Sequence, residues 1–419
     1  MKARIIIIAV LLGLFGLTLY TGHTYQRETA AMLDRLLADD ARAQLVSHDL
    51  DKKWLGAHEK LVIHLAISEE LALEVTTVSE SWYLPGWVSF NTDTRLALLE
   101  QGGDSISLHQ YFDIPPLKMK GRAGWRGVRA HASWLPQSYT VDSNYLEIAA
   151  MEFELQYRYN GELQSRLQAE SIAVGDARSS LLLDSLNFVS GQSGHPPWLN
   201  SRGELTIDSI VYDDDTINAE LRGLRWQQQN SLTPQELYSR IQLSTEALLA
   251  ADINAGSALL DIETDSINGQ AFVDAMRAID SLDADMGDQQ LQAILQPADR
   301  LLADSPAIRL RTLRYNVGEF SDSLEGIVRI DGENLPQGFS KSLLMTEQQW
   351  QLLARYLYMK LSFAESTAMA ITMLGLIDLP LTLIQPGEQQ TLQLQHGQLM
   401  FNGHLIRDYR ISQHGSELF

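Results

Sequence analysis

The chain has 419 residues, and its 53 acidic residues against 32 Lys and Arg give a net charge of −21. That balance argues strongly against a nucleic-acid partner, whose phosphates need Lys and Arg to displace counterions. Hydrophobic and charged fractions of 45% and 20% are those of a folded chain and exclude bulk disorder. The absence of cysteine removes disulfides, iron–sulfur clusters, thiolate zinc sites and cysteine nucleophiles together.

The first segment, "MKARIIIIAVLLGLFGLTLYTG", places Lys2 and Arg4 before an uncharged apolar run from Ile5 to Gly22. At about 1.5 Å per helical residue this run approaches the roughly 30 Å of a bilayer core. A cleaved signal peptide has a shorter apolar stretch, about 7–15 residues, and a small-x-small site. No such site follows directly, and Tyr20 and Tyr25 suit a membrane–water boundary. Residues 1–22 are therefore expected to be an uncleaved transmembrane anchor, with the body on the periplasmic side of the inner membrane. Residues 23–50 are expected as a helical stalk, because Met32, Leu33, Leu36, Leu37 and Leu45 recur at helical spacing.

From about residue 59 the period changes to two. "KLVIHLAI" and "LALEVTTV" read as strands, and the clearest strand is "MEFELQYRYNGELQSRL". There Met151, Phe153, Leu155, Tyr157 and Tyr159 share one face, Glu152, Glu154, Gln156 and Arg158 the other. Asn160-Gly161 is expected as a two-residue hairpin turn. Similar alternation recurs in "GELTIDSIVY", "INAELRGLRW", "ALLDIETDSING", "AIRLRTLRYNV" and "EGIVRI". "TPQELYSRI" is expected as a helical turn leading into a strand, since Thr233, Pro234 and Glu236 fit a capping box.

The result is an α+β, strongly β-rich expectation: extended antiparallel sheets form a body over 51–335, and a helical segment with a terminal β-hairpin occupies 336–419. Helices are expected over 272–282 and along "TEQQWQLLARYLYMKLSFAESTAMAITMLGLI", where Trp350, Leu353, Tyr356, Leu357 and Leu361 fall at helical spacing. The part "TAMAITMLGLI" reads as a buried core helix, too short to span a bilayer. The closing "LQLQHGQLMFNG" reads as a hairpin with a second reversal at Asn402-Gly403.

Three pieces resemble the YdgA/YihF-like family of bacterial proteins of unknown function. They are Tyr20-Thr21-Gly22 closing the anchor, "LLADSPAIRLRTLRYNVGEFSDSLEGIVRIDGENLP" (301–336) and "LQLQHGQLMFNGHLI" (392–406). Where the family shows an Arg-Gly step and then a His-Gly-Pro step, this chain reads "DKKWLGAHEKL" and "SESWYLPGWVSF". The resemblance implies an inner-membrane anchor, a periplasmic β-rich body and a Gram-negative source, and it supplies no catalytic residues. More distantly the layout is similar to AsmA-like envelope proteins, associated with lipid handling.

Tests for chemistry return little. His58 and His64 are six apart, not the four that a helical zinc motif needs. Asp283 and Asp285 begin a calcium-like loop, but position 5 is Gly287 and no Glu stands at position 12. Ser193, between Gly191 and His195, misses the nucleophile-elbow pattern, and "GRAGWRG" lacks the phosphate-loop ending. No catalytic, cofactor or metal residue is assigned, and no enzymatic activity is expected.

Two binding candidates stand out. Lys118, Lys120, Arg122, Arg126 and Arg129 form an acid-free run near Trp125. A stripe of this kind could hold a phosphate head group or an acidic partner; the favoured, plainer reading is a lysine-guarded edge strand. Trp82, Tyr83, Trp87 and Phe90 surround Pro85-Gly86. Corner packing is favoured over a loop tip that contacts a membrane or lines a groove. The expected function is therefore that of a non-enzymatic, single-pass envelope protein binding lipid or an envelope partner. The alternative is a scaffold that self-associates through sheet edges, as in a homodimer.

Overall fold

The computed structural model describes Thr18, Thr21, His23, Arg27 and residues 43–410, apart from 54, 67–70, 101–104, 108–115, 142, 251–252, 281–287, 319, 347–348 and 364–388. The expected membrane span lies almost wholly outside these residues. Among them, no helix is long and apolar enough to cross a membrane. The stretch Thr367–Ile377, expected as a core helix, and the Asp283–Asp285 loop are also outside them.

Antiparallel strands dominate, in two compact units: Met1–Gly191 with Ile210–Thr216, and Gln192–Ser209 with Ile217–Phe419. The first contains β1 (Ala43–Lys53), β2 (Gly56–Ala66), β3 (Leu71–Leu84), β4 (Trp87–Glu100), β5 (Ser105–Ser107), β6 (Leu117–Gly124), β7 (Gly127–Trp134), β8 (Gln137–Val141), β9 (Asn144–Ile148), β10 (Met151–Arg158) and β11 (Glu162–Gly175). Two long strands, β12 (Ser179–His195) and β13 (Trp198–Asp214), contribute residues to both units.

In the first unit β1, β2, β3, β4, β6, β7, β10 and β11 pair in that order. β5 also pairs with β4. Tight reversals join β3 to β4, β6 to β7 and β10 to β11, the simplest antiparallel topology, while β7 and β10 pair across the intervening β8 and β9. β7 stops at exposed Leu135 and at Pro136, which cannot donate to the ladder. The chain then resumes as β8, which pairs with β9, while β9 pairs with the far part of β11. One face of this sheet is dry: Ala57, Tyr83, Val88 and Ala123 are buried together, with Leu50 and Val128 against them.

The second unit continues with β14 (Asn218–Leu232), β15 (Leu237–Ala250), β16 (Ile253–Asp265), helices α1 (Gly269–Asp280) and α2 (Asp288–Ala303), β17 (Ala307–Val317) and β18 (Phe320–Ile330). Helices α3 (Phe339–Met345) and α4 (Gln349–Tyr356) precede β19 (Leu357–Phe363), β20 (Gln390–Gln395), β21 (Gln398–Phe401) and β22 (His404–Asp408). The strands β14 to β22 form an uninterrupted antiparallel meander. Its core gathers Leu324, Phe363, Leu392 and Phe401, all buried, and beside them Ala354, Leu357 and Leu394.

Several expectations are corrected. Residues 43–50 of the stalk are strand, not helix, because they pair with β2 and His48 Nε2 reaches Glu59 at 2.6 Å. The long C-terminal helix ends at Tyr356. From Leu357 the apolar residues Leu357, Met359, Leu361 and Phe363 alternate, and a strand between β18 and β20 satisfies both the backbone and those side chains. Asn160-Gly161 is part of a three-residue loop, since Arg158 pairs with Glu162 and Gly161 takes φ +87°. Around Thr233 there is a bend without a helix, though Thr233 Oγ1 still accepts from the Glu236 N–H at 3.1 Å. The closing hairpins stand as expected: His396-Gly397 and Asn402-Gly403 both take positive φ, as a type I′ turn requires.

Candidate functional site

A concavity of about 1690 Å³ opens on the wet face of the first unit. It is lined by β4, β6, β7, β10 and β11, with Val189 of β12 at one side. Cross-strand pairs share a face, so the register gives its layout in rows. Trp87, Gly124, Gly127 and Arg158 form the row nearest the turns. Ser89, Arg122, Arg129 and Gln156 form the next, then Asn91, Lys120, His131 and Glu154.

The turns beyond the first row lie together. A methyl group at Gly86 would come within 3.0 Å of Trp125 Nε1, and the Tyr159 N–H donates to the Arg126 carbonyl at 3.2 Å. Gly86 takes φ +83°, which glycine alone adopts without cost in the Pro85-Gly86 reversal. Its N–H donates to Thr21 Oγ1 at 3.2 Å, so a buried helical residue from the N-terminal segment abuts this end of the sheet.

Of the five cations singled out in the sequence, Lys120, Arg122, Arg126 and Arg129 line the concavity. Lys118 does not; it stands opposite Asp93 on β4. The edge-strand reading is wrong, because β6 is paired on both sides, with β4 and with β7. A charged stripe there protects no open edge. Arg122 stands directly opposite Arg129, a like-charge pairing that costs stability. Among the described residues no carboxylate lies within ion-pair distance of Lys120, Arg122, Arg126 or Arg129. Arg122 lies over the Trp87 ring, 5.1 Å from its centroid.

The second unit treats its charges differently. There Arg240 reaches Asp261 at 2.7 Å, and Arg309 and Arg311 reach Glu263 at 3.3 and 3.0 Å across neighbouring strands. Matching is not general there, since Arg329 and Arg407 lie over the Tyr358 and Tyr409 rings instead; β6 and β7 differ in setting two arginines, Arg122 and Arg129, directly opposite each other.

The aromatic quartet divides. Tyr83 and Phe90 are buried, as corner packing requires, whereas Trp82 and Trp87 are 44% and 36% exposed. Only Trp87 of the four lines the concavity, joined there by Trp125 at 72% exposure. Sequence reading missed Arg158 and Arg166 on β10 and β11. Arg158 is held by Glu162 at 2.6 Å, and Glu154 faces His131 at 3.9 Å.

A bacterial family of unknown function, DUF945, has a sequence model that matches residues 112–371, well over half of the chain. The chain belongs to that family. The DUF945 match takes in β6 to β11, and with them the strands that carry the unmatched cations, but not Trp87 on β4. Comparison with curated proteins gave no match, and neither did comparison with solved structures. Elsewhere in this DUF945 protein, His64 contacts Glu74 at 3.1 Å, and Ser193 and His195 lie on β12. Among the described residues no group of three His, Asp or Glu side chains is arranged to hold a metal.

Proposed function

We propose that this chain is a single-pass inner-membrane protein whose periplasmic body is non-enzymatic and binds anionic lipid through the basic, tryptophan-edged end of its first sheet. The observation that carries this reading is the Arg122–Arg129 pairing on two interior strands, with no carboxylate of the described residues within ion-pair distance of either. Cations held apart from counter-charges attract an anionic surface, each contributing roughly 1 kcal/mol close to it. Exposed Trp87 and Trp125 are the residue type that settles at a membrane–water boundary. On this reading Thr21 belongs to the last turn of the span, and its bond to Gly86 turns this end of the sheet toward the bilayer. The likeness to YdgA/YihF-like and AsmA-like proteins agrees with such a location, although no named relative carries it. Self-association through a sheet edge is less well supported: β1, paired only with β2 among the described residues, carries Asp49, Asp51, Lys52 and Lys53, charges that discourage edge pairing.

The test uses the full chain in neutral detergent, titrated with a short-chain phosphatidylglycerol and with its phosphatidylcholine counterpart. Replacing Lys118, Lys120, Arg122, Arg126 and Arg129 with Gln is expected to abolish the preference for the anionic lipid while circular dichroism stays unchanged. Equal uptake of both lipids by the unaltered chain would remove the reading.

A further inference from the structure

Within the concavity the residues are not uniformly basic, and their arrangement says more than their charge. In the row nearest the turns, Gly124 and Gly127 stand opposite each other between Trp87 and Arg158. Gly124 has no side chain and leaves a gap in the wet face on β6, whereas at Gly127, with φ +149°, an added methyl group would run into the Tyr157 carbonyl oxygen, so the gap does not extend over β7. A methyl group built on Gly124 meets nothing closer than the Gly86 carbonyl oxygen at 3.7 Å, so the space above it is open. Immediately behind the gap, in the next row, are Arg122 and Arg129, with Arg126 in the turn in front.

Arg122 is held by its position over Trp87. A guanidinium stacked on a ring keeps its in-plane N–H groups available, and these match the oxygens of a phosphate in pairs. Arg129 adds a second fork from the facing strand, with Cβ atoms of directly opposed residues about 5 Å apart. Two forks at that separation suit one tetrahedral group carrying close to two negative charges better than a phosphodiester, which offers one charge and fewer free oxygens. A phosphomonoester carries about −1.5 to −2 near neutral pH. Arg158 contributes less, being occupied by Glu162.

We infer that the glycine-floored gap between Trp87 and Arg158 is a binding site for a terminal phosphomonoester on a lipid, with Arg122 and Arg129 as the paired phosphate ligands. The lipid source is chosen over a soluble phosphate because Thr21, at the end of the apolar N-terminal run, bonds to the turn at the mouth of the gap. The inference rests on the membrane-facing reading above and narrows it from a charged surface to one site.

The full chain in neutral detergent is titrated calorimetrically with dioctanoyl phosphatidate, dioctanoyl phosphatidylglycerol and inorganic phosphate. Phosphatidate is expected to bind saturably, one per chain, and more tightly than the other two. The double substitution Arg122→Gln with Arg129→Gln is expected to weaken phosphatidate by about tenfold or more, the scale of losing charge-assisted hydrogen bonds. Gly124→Leu, which fills the gap without disturbing the backbone, is expected to weaken it similarly with circular dichroism and melting unchanged. Inorganic phosphate binding as tightly as phosphatidate would overturn the lipid source. Phosphatidate bound unchanged by both variants would overturn the site. If the five-cation variant nevertheless lost its anionic-lipid preference, the broader reading would survive; if it too were unchanged, both would fall.

Discussion

Replacing Arg240 with Met is expected to destabilise the second unit by about 3 kcal/mol, measured by urea unfolding. Asp261 is 6% exposed, and Arg240 grips it through Nε at 2.9 Å and a terminal nitrogen at 2.7 Å. Removing one member of a buried ion pair typically costs about 3–5 kcal/mol because the other charge stays behind in a poor solvent. The lower end applies here: Gln242 still donates to Asp261 at 2.8 Å, and Arg311 lies 3.9 Å away. Adding Asp261→Asn to Arg240→Met is expected to recover much of the loss, since no orphaned charge then remains. The pair also sets an acid response. Hydrogen bonding from Arg240 holds the Asp261 carboxyl below the ordinary carboxylate range, against the opposing effect of burial. A depressed folded-state value means the stabilisation is full above the unfolded carboxyl's pKa, about 3.9, and fades as pH falls through the folded one. In the Arg240→Met protein that part of the acid sensitivity is expected to shrink. An unchanged stability at neutral pH would contradict the assignment of Asp261 as a buried, dependent charge.

Phe363→Ala is expected to cost about 3–5 kcal/mol, the range for truncating a buried aromatic side chain. Phe363 is 1% exposed, stands across from Leu324 on β18 and Gln390 on β20, and packs with Leu392 and Phe401. The neighbourhood resists collapse into the space left behind. Gln390 is fully buried and fixed by an Asn402 amide at 2.6 Å, while the Thr391 N–H donates to Asn402 Oδ1 at 2.8 Å. Phe363→Leu keeps most of the volume and is expected to cost less than half as much. A Phe363→Ala protein that unfolds at the original urea concentration would show that this cluster is not the core of the unit.

The residues that could be read correctly beforehand are those whose periodicity and turn chemistry agree. Met151–Arg158 alternates cleanly, and Asn402-Gly403 supplies the positive φ that its reversal needs. Misreadings came where one set of apolar residues fits two periods. Leu357 and Leu361 lie four apart, which suits a helix face, and also two pairs apart on a strand; pairing with β18 and β20 decides for the strand. Leu45 was open to the same ambiguity. α2 gave no clear signal because Pro297 interrupts it, yet it forms, with Leu295 buried and Arg300 bonded to Asp274 at 2.8 Å.

The candidate site was half legible for a similar reason. Alternation shows Lys118, Lys120 and Arg122 on one strand, but whether that strand lies at an edge or inside a sheet depends on its pairing with β4, some thirty residues away, as well as with β7. That distinction reverses the meaning of the stripe, from guarding an edge to an unmatched charge on the wet face of an interior strand. The contribution of Trp87, Gly127 and Arg158 depends on register across β4, β7 and β10, which no local pattern encodes.

The orientation of the first unit against a bilayer is tested most directly with a single spin label, which the cysteine-free chain accepts without other changes. Asn160→Cys places the label at the exposed turn beyond Arg158, and Thr140→Cys places it on exposed β8, away from that end. In bilayers containing anionic lipid, the label at Asn160→Cys is predicted to be shielded from a water-soluble relaxation agent, and the label at Thr140→Cys to remain accessible. Equal accessibility of the two, or shielding of Thr140→Cys alone, would contradict a membrane-facing basic end.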